Sequence, residues 1–146
     1  LAKKLGWDVA DADDFHPSQN IDKMSRGLPL TDQDREPWLA AIAAWIDAHQ
    51  GAGRPGIVTC SALKRRYRDI IIDGRESVRL VYLRGPKELI AERMAARAGH
   101  FMPPALLASQ FGALEEPSLD EGPLVIDIQA TPDAIIETIV QSLEQR

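Results

Sequence analysis

Asp11-Ala12-Asp13-Asp14-Phe15-His16-Pro17 is the stretch on which the reading of this chain turns. It follows Trp7-Asp8-Val9-Ala10, a short strand-like segment, and it ends at a proline. Three carboxylates within four residues repel one another unless a cation neutralises them or water screens them. A metal-phosphate site would do the first. Plain exposure would do the second, and Asp clusters at strand ends are often just that. The stretch alone leaves both readings open.

Outward from it, strand-like runs fall at residues 8–11, 56–60, 79–83 and 124–128, the later three short, apolar and rich in Val and Ile, as in strands buried on both faces. Helical patterns lie between them. Residues 37–49 put Trp38, Leu39, Ile42, Trp45 and Ile46 on one stripe, closed by Gly51 and Gly53. Further helices are expected over 61–72, over 86–97, from Pro103-Pro104 to about Leu114, and from Thr131-Pro132, a hydroxyl cap followed by proline at the first helical position. Strands alternating with helices predict an α/β fold with a parallel sheet. No repeat, linker or low-complexity segment divides residues 1–146, so a single domain is expected.

Composition narrows the function classes. A net charge of −5 with no basic stripe argues against a nucleic-acid surface. One cysteine, Cys60, permits no disulfide within the chain and suits a reducing compartment. No apolar run approaches the roughly 20 residues of a membrane span, and no signal peptide is visible, so a cytoplasmic protein is expected. Leu1-Ala2-Lys3-Lys4-Leu5-Gly6 reads as the last turn of a helix closing on a glycine cap, with its lysines suited to that end. A first strand and most of a first helix are therefore expected upstream.

In parallel α/β sheets ligands bind at the carboxyl ends of the strands. There the first strand delivers Asp11, Asp13, Asp14 and His16, and the second delivers Ser61, Lys64 and Arg68. The third leads into a helix bearing Arg93 and Arg97, whose spacing of four puts both guanidinium groups on one face. That is the charge pattern of a site for phosphates, a divalent cation and an anionic substrate. Each part also has a plainer reading. His16 can bond its own loop; Lys64, Arg65, Arg66 and Arg68 can form one solvated face; Arg93 and Arg97 can pair with Glu88 or Glu92. Trp38 and Trp45 read as core, and Cys60 as a buried small residue with no neighbouring histidine to activate it.

Several motifs in order resemble one family. Asp11-Ala12-Asp13 with His16-Pro17, Asn20-Ile21-Asp22-Lys23-Met24, Gly27-Leu28-Pro29-Leu30-Thr31-Asp32, Asp34-Arg35 and Pro37-Trp38-Leu39 are similar to the gluconokinases of the P-loop kinase superfamily. So are Cys60-Ser61-Ala62-Leu63-Lys64, Tyr67-Arg68-Asp69, Arg97-Ala98-Gly99-His100-Phe101, Ser109-Gln110-Phe111 and Leu114-Glu115-Glu116-Pro117. The departure is that no G-x-x-x-x-G-K-[ST] phosphate loop occurs in the 146 residues.

The resemblance implies a three-layer P-loop kinase-like fold, a parallel sheet flanked by helices, with a helical lid over about residues 93–117. Its central first strand would lie between the strands at 56–60 and 79–83 and is absent from this chain. It implies ATP-dependent phosphorylation of D-gluconate at the 6-hydroxyl, with Mg2+, in a homodimer. Asp13 would accept or orient the hydroxyl proton. Asp11 would help hold magnesium through water, since residues two apart on extended chain project alike. His16 would bond substrate hydroxyls, and Arg35, Lys64 and Arg68 would hold the carboxylate, the last two from one helix face. Arg93, Arg97, Gly99 and His100 would form the ATP side of the lid. The chain as it stands would then be inactive. The rivals are a related kinase for another small anion such as shikimate, and a catalytically dead binding protein.

Overall fold

The computed structural model describes residues 1–96 and 104–144, with side chains from 107 onward in the second stretch. The chain is α/β, and all its paired strands are parallel. It divides into two compact units, Leu1–Val78 and Arg79–Arg146.

In the first unit, α1 (Ala2–Leu5) ends on Gly6, whose φ of 69° suits a residue without a Cβ. Then come β1 (Asp8–Asp11), a 3-10 turn (Ala12–Phe15), α2 (Ser18–Ser25), α3 (Asp32–Gly51), β2 (Gly56–Thr59) and α4 (Arg65–Ile72). β1 and β2 pair in parallel with Asp8 opposite Gly56 and Asp11 opposite Thr59. α3 is the spine of the unit and packs on the 3-10 turn, β2 and α4. Their shared core is Ala12, Trp38, Leu39, Ile42, Tyr67 and Ile71, with Phe15, Ile46, Val58 and Cys60 packed around it. Gly56 is where the strand passes under the Trp45 ring: a Cβ there would meet Trp45 Cη2 at 2.6 Å.

The second unit contains β3 (Val81–Arg84), α5 (Lys87–Ala96), α6 (Pro104–Ala113), a 3-10 turn (Leu119–Glu121), β4 (Leu124–Asp127) and α7 (Pro132–Glu144). β3 and β4 pair in parallel, and α5 contacts α6. Thr131 caps α7 as its sequence predicts, its Oγ1 accepting from the Ala134 N–H at 3.2 Å.

Three expectations change. Strands β3 and β4 are not buried on both faces: Leu83 and Val125 are 53 and 50 % exposed. Among the described residues each strand pairs with one other, β2 with β1 and β3 with β4. α3 starts five residues before Pro37, because Thr31 and Asp34 form a reciprocal capping box that nucleates the helix there. Helix α4 starts at Arg65, so Ser61 to Lys64 are loop and not its first turn.

Candidate active site

All described members of the candidate site except Arg93 belong to the first unit, and its acidic stretch is held from below. The strand ends at Asp11, whose Oδ1 accepts from the Asp13 N–H at 2.9 Å and so caps the 3-10 turn. This corrects the expectation that Asp11 and Asp13 project together from extended chain, because a turn with a period near three replaces strand alternation at Ala12. Asp13 and Asp14 are both exposed. Ala12 between them and the core is 1 % exposed, and its carbonyl accepts from Trp38 Nε1–H at 2.6 Å. One tryptophan thus anchors the turn that presents the carboxylates.

The same indole supports His16. The two rings stack with centroids 4.5 Å apart and planes 11° from parallel. His16 Nδ1 lies 3.3 Å from Nδ2 of Asn20 on α2, a residue with no exposed surface. Burial lowers the pKa of His16; the Asp13 charge opposes that shift and the Arg35 charge reinforces it. His16 therefore reaches across to the next helix instead of only bonding its own loop.

The N-terminal turn of α3 forms the next wall. The Asp34 carboxylate accepts from Lys23 Nζ at 2.7 Å and from the Thr31 N–H at 2.9 Å. The Lys23 bond foremost, then the Thr31 amide, push its pKa down to about 2. Arg35 donates from NH1 to the Leu30 carbonyl at 2.9 Å and to the Tyr67 hydroxyl at 3.0 Å. Its guanidinium carbon sits 5.3 Å from the centroid of the Tyr67 ring, within cation-π reach. Tyr67 in turn donates to Asp32 Oδ1 at 2.5 Å. Lys64 Nζ is 3.6 Å from that oxygen, and Arg66 NH1 is 3.4 Å from the other. Burial, then the bond to Asp32, raise the Tyr67 pKa, while the Tyr67 bond is the chief cause of the lowered Asp32 pKa. Arg35, Lys64 and Arg66 are thus gathered around one tyrosine-carboxylate pair.

Lys64 and Arg68 part company. Lys64 is the N-cap of α4 in extended conformation, with 39 % of its side chain exposed. Arg68 is 3 % exposed and turns back under the loop, NH1 donating to the carbonyls of Ala62 at 2.9 Å and Leu63 at 3.3 Å. The shared helix face expected for the pair does not exist, because Lys64 lies outside the helix. Nor is Arg68 part of a solvated face. Its bonds support a loop that needs support, since Ala62 holds a φ of 36° that L-residues rarely adopt.

Cys60 fits its plainer reading: burial first, with the Asp13 and Asp11 charges, raises its thiol to about 11, which leaves no nucleophile at neutral pH. Among the described residues no group of three or more His, Cys, Asp or Glu side chains could hold a metal. The exposed Asp11 and Asp13 carboxylates suit magnesium in the manner that ion favours, with one or two carboxylates and the rest of the shell from phosphate and water. Arg93 lies on α5 in the second unit; Arg97, Gly99 and His100 lie outside the described residues. Composition does not reveal Asn20, Trp38, Tyr67 or Asp32 as site residues. All four stand in the quoted motifs, but only the folded contacts give them roles.

Parallel strands in α/β folds hold ligands at their carboxyl ends, where this chain gathers carboxylates and cations, and the fold is that of the P-loop-type small-molecule kinases. Two solved structures share this fold: a sugar kinase from Janibacter sp. HTCC2649, with a TM-score of 0.87 and 48 % identity over 98 % of this chain and 83 % of that one, and a gluconokinase from Sinorhizobium meliloti 1021, with a TM-score of 0.85 and 39 % identity over 99 % and 81 %. The chain belongs to the gluconokinase family, being 50 % identical over 129 residues to the thermosensitive gluconokinase of Escherichia coli K12, with 88 % of this chain and 69 % of that protein aligned. No family model matches the chain.

Proposed function

We propose that this chain carries the sugar-acid side of an ATP-dependent phosphorylation of D-gluconate at its 6-hydroxyl. The observation that supports this reading most is the cradle around the acidic turn. Trp38 anchors Ala12, Asp13 stands exposed beside it, and His16 stacks on the same ring, with the cations of Arg35 and Lys64 collected on Tyr67 and Asp32. Phosphoryl transfer asks of a protein mostly positioning and charge neutralisation. In this reading Asp13 takes or orients the hydroxyl proton and His16 bonds the sugar hydroxyls. Arg35 and Lys64 receive the carboxylate, which competes with Asp32 for Lys64 and with the Tyr67 hydroxyl for Arg35. Arg68 serves the carboxylate by holding the loop that ends in Lys64. Asp11 would help hold Mg2+, which would supply neutralisation of phosphate charge. Arg93, Arg97, Gly99 and His100 supply the ATP side and its hinge.

The reading extends to a cytoplasmic homodimer. With no G-x-x-x-x-G-K-[ST] pattern in its 146 residues, the chain by itself is expected to bind gluconate without turnover. The test has two arms. Calorimetry on this chain should show gluconate binding and no response to shikimate or nucleoside monophosphates. A coupled ADP assay on a form fused to a phosphate-loop segment should show gluconate-dependent turnover that needs magnesium. Preference for shikimate or a nucleotide in either arm would replace the substrate.

A further inference from the structure

Asn20 is fully buried, yet its Oδ1 has no hydrogen-bond partner, while its Nδ2 carries both of the amide's contacts. Packing alone would favour an apolar residue there. What the amide provides is two donated bonds from one nitrogen, to the Asp34 carbonyl at 2.9 Å and to His16 Nδ1 at 3.3 Å. We propose that Asn20 is a positioning residue that fixes His16 as the neutral Nε2–H tautomer, so that the imidazole meets the substrate as a hydrogen-bond donor. The inference rests on the reading that His16 contacts gluconate.

The orientation of the amide follows from its first contact. A carbonyl can only accept, so the group facing Asp34 O must be the NH2 and not the oxygen. Asp34 cannot drift away, because its side chain is tied to Thr31 and Lys23. The second N–H of the same nitrogen then points to His16 Nδ1, and a donor there is met by a bare nitrogen. The remaining proton belongs on Nε2, which has no hydrogen-bond partner among the described residues. The stack on Trp38 fixes the ring plane in which this happens. The charged groups acting on the ring are Asp13 from the turn and Arg35 from α3, with opposite effects.

The chemical consequence concerns the proton. A bare Nε2 would accept a substrate hydroxyl's proton and compete with Asp13 for it. An Nε2–H binds the hydroxyl oxygen instead and leaves that proton to the carboxylate.

Long-range 1H–15N correlation spectra of the 15N-labelled chain read the tautomer directly. At neutral pH His16 should show a pyridine-type Nδ1 and a pyrrole-type Nε2, and gluconate should move the Nε2 resonance. Asn20→Leu should average the two nitrogens and weaken gluconate binding about tenfold, the scale of one lost hydrogen bond. Asn20→Asp should place the proton on Nδ1. A wild-type Nδ1 of pyrrole type, or two protonated nitrogens, would overturn the proposal, and this measurement stands even if neither variant folds. The expected tautomer with an Nε2 that gluconate leaves unmoved would overturn the substrate contact and not the lock on the ring.

Discussion

Replacing Arg68 by Met separates two roles that the sequence could not distinguish. The Met keeps the apolar stem inside the core and removes the guanidinium, so the carbonyls of Ala62 and Leu63 lose their donor. Hydrogen bonds to a charged group contribute about 1.5–3 kcal/mol each, and the longer contact to Leu63 falls at or below the low end, so about 2–4 kcal/mol should be lost. With a urea slope of about 2 kcal/mol per molar, the middle of the usual range, the unfolding midpoint should fall by about 1–2 M. Circular dichroism at graded urea reads the stability, and calorimetry with gluconate and glucose reads the site. If Arg68 acts through the loop, gluconate affinity weakens together with stability, and Arg68→Lys, which restores a charge but not the fork, recovers only part of both. Unchanged stability beside a collapsed preference for gluconate over glucose would refute the reasoning and put the guanidinium on the substrate.

In the phosphate-loop fusion, Asp13→Asn should lower turnover by about 10²–10⁴ with little change in gluconate binding, while Asp14→Asn should do little; steady-state kinetics on both decide, and greater sensitivity at Asp14 would reassign the turn. Asp34 has a folded pKa of about 2, below its ordinary 3.8, so the stability it contributes is full above 3.8 and is lost as pH falls from there toward 2. Acid unfolding curves should therefore flatten in Lys23→Met, which removes the main cause of the shift. Cys60 should resist alkylation at pH 8 and gain reactivity when magnesium binds at the acidic turn, since the Asp11 and Asp13 charges help keep its thiol protonated; unchanged rates with magnesium would remove the ion from that turn.

Periodicity gave the strands to within two residues, because runs such as Gly-Ile-Val-Thr between turn residues have few other folds open to them. Helix α2 was not legible. Its sequence Ser-Gln-Asn-Ile-Asp-Lys-Met-Ser is short and polar, and its Ile21 and Met24 are 54 and 45 % exposed, so no core-facing stripe marks it. Pro37 misled for a different reason: proline favours a first helical turn, but the Thr31-Asp34 capping box lies upstream and wins, leaving the proline inside α3. Asp11 to His16 stood out in the sequence by composition. The Trp38 bond to Ala12 O did not, because it joins residues 26 apart and depends on how α3 docks on the turn. Lys64 and Arg68 were parted by a boundary shift of a few residues, which changes a lysine from helix face to N-cap.

A common device explains why these hidden residues matter. Four main-chain segments beside candidate groups in the first unit have a carbonyl held by a side chain rooted in a helix: Trp38 holds Ala12 beside Asp13, Asn20 holds Asp34 in the first turn of α3 beside Arg35, Arg68 holds Ala62 and Leu63 before Lys64, and Arg35 itself holds Leu30. The donors Trp38, Asn20 and Arg68 are buried, whereas Asp13 is exposed and Lys64 half-buried. That division follows from what phosphoryl transfer requires. On the proposed reading, charged groups that would meet a hydrated sugar acid have to stay reachable by water until the substrate arrives, so burial cannot be what fixes them. The backbone beneath them can be fixed, at the cost of a few buried polar groups, one of which leaves Asn20 Oδ1 unpaired. A misplacement of about 1 Å can cost a hundredfold in rate, so support of the carbonyls is where the precision of this site resides.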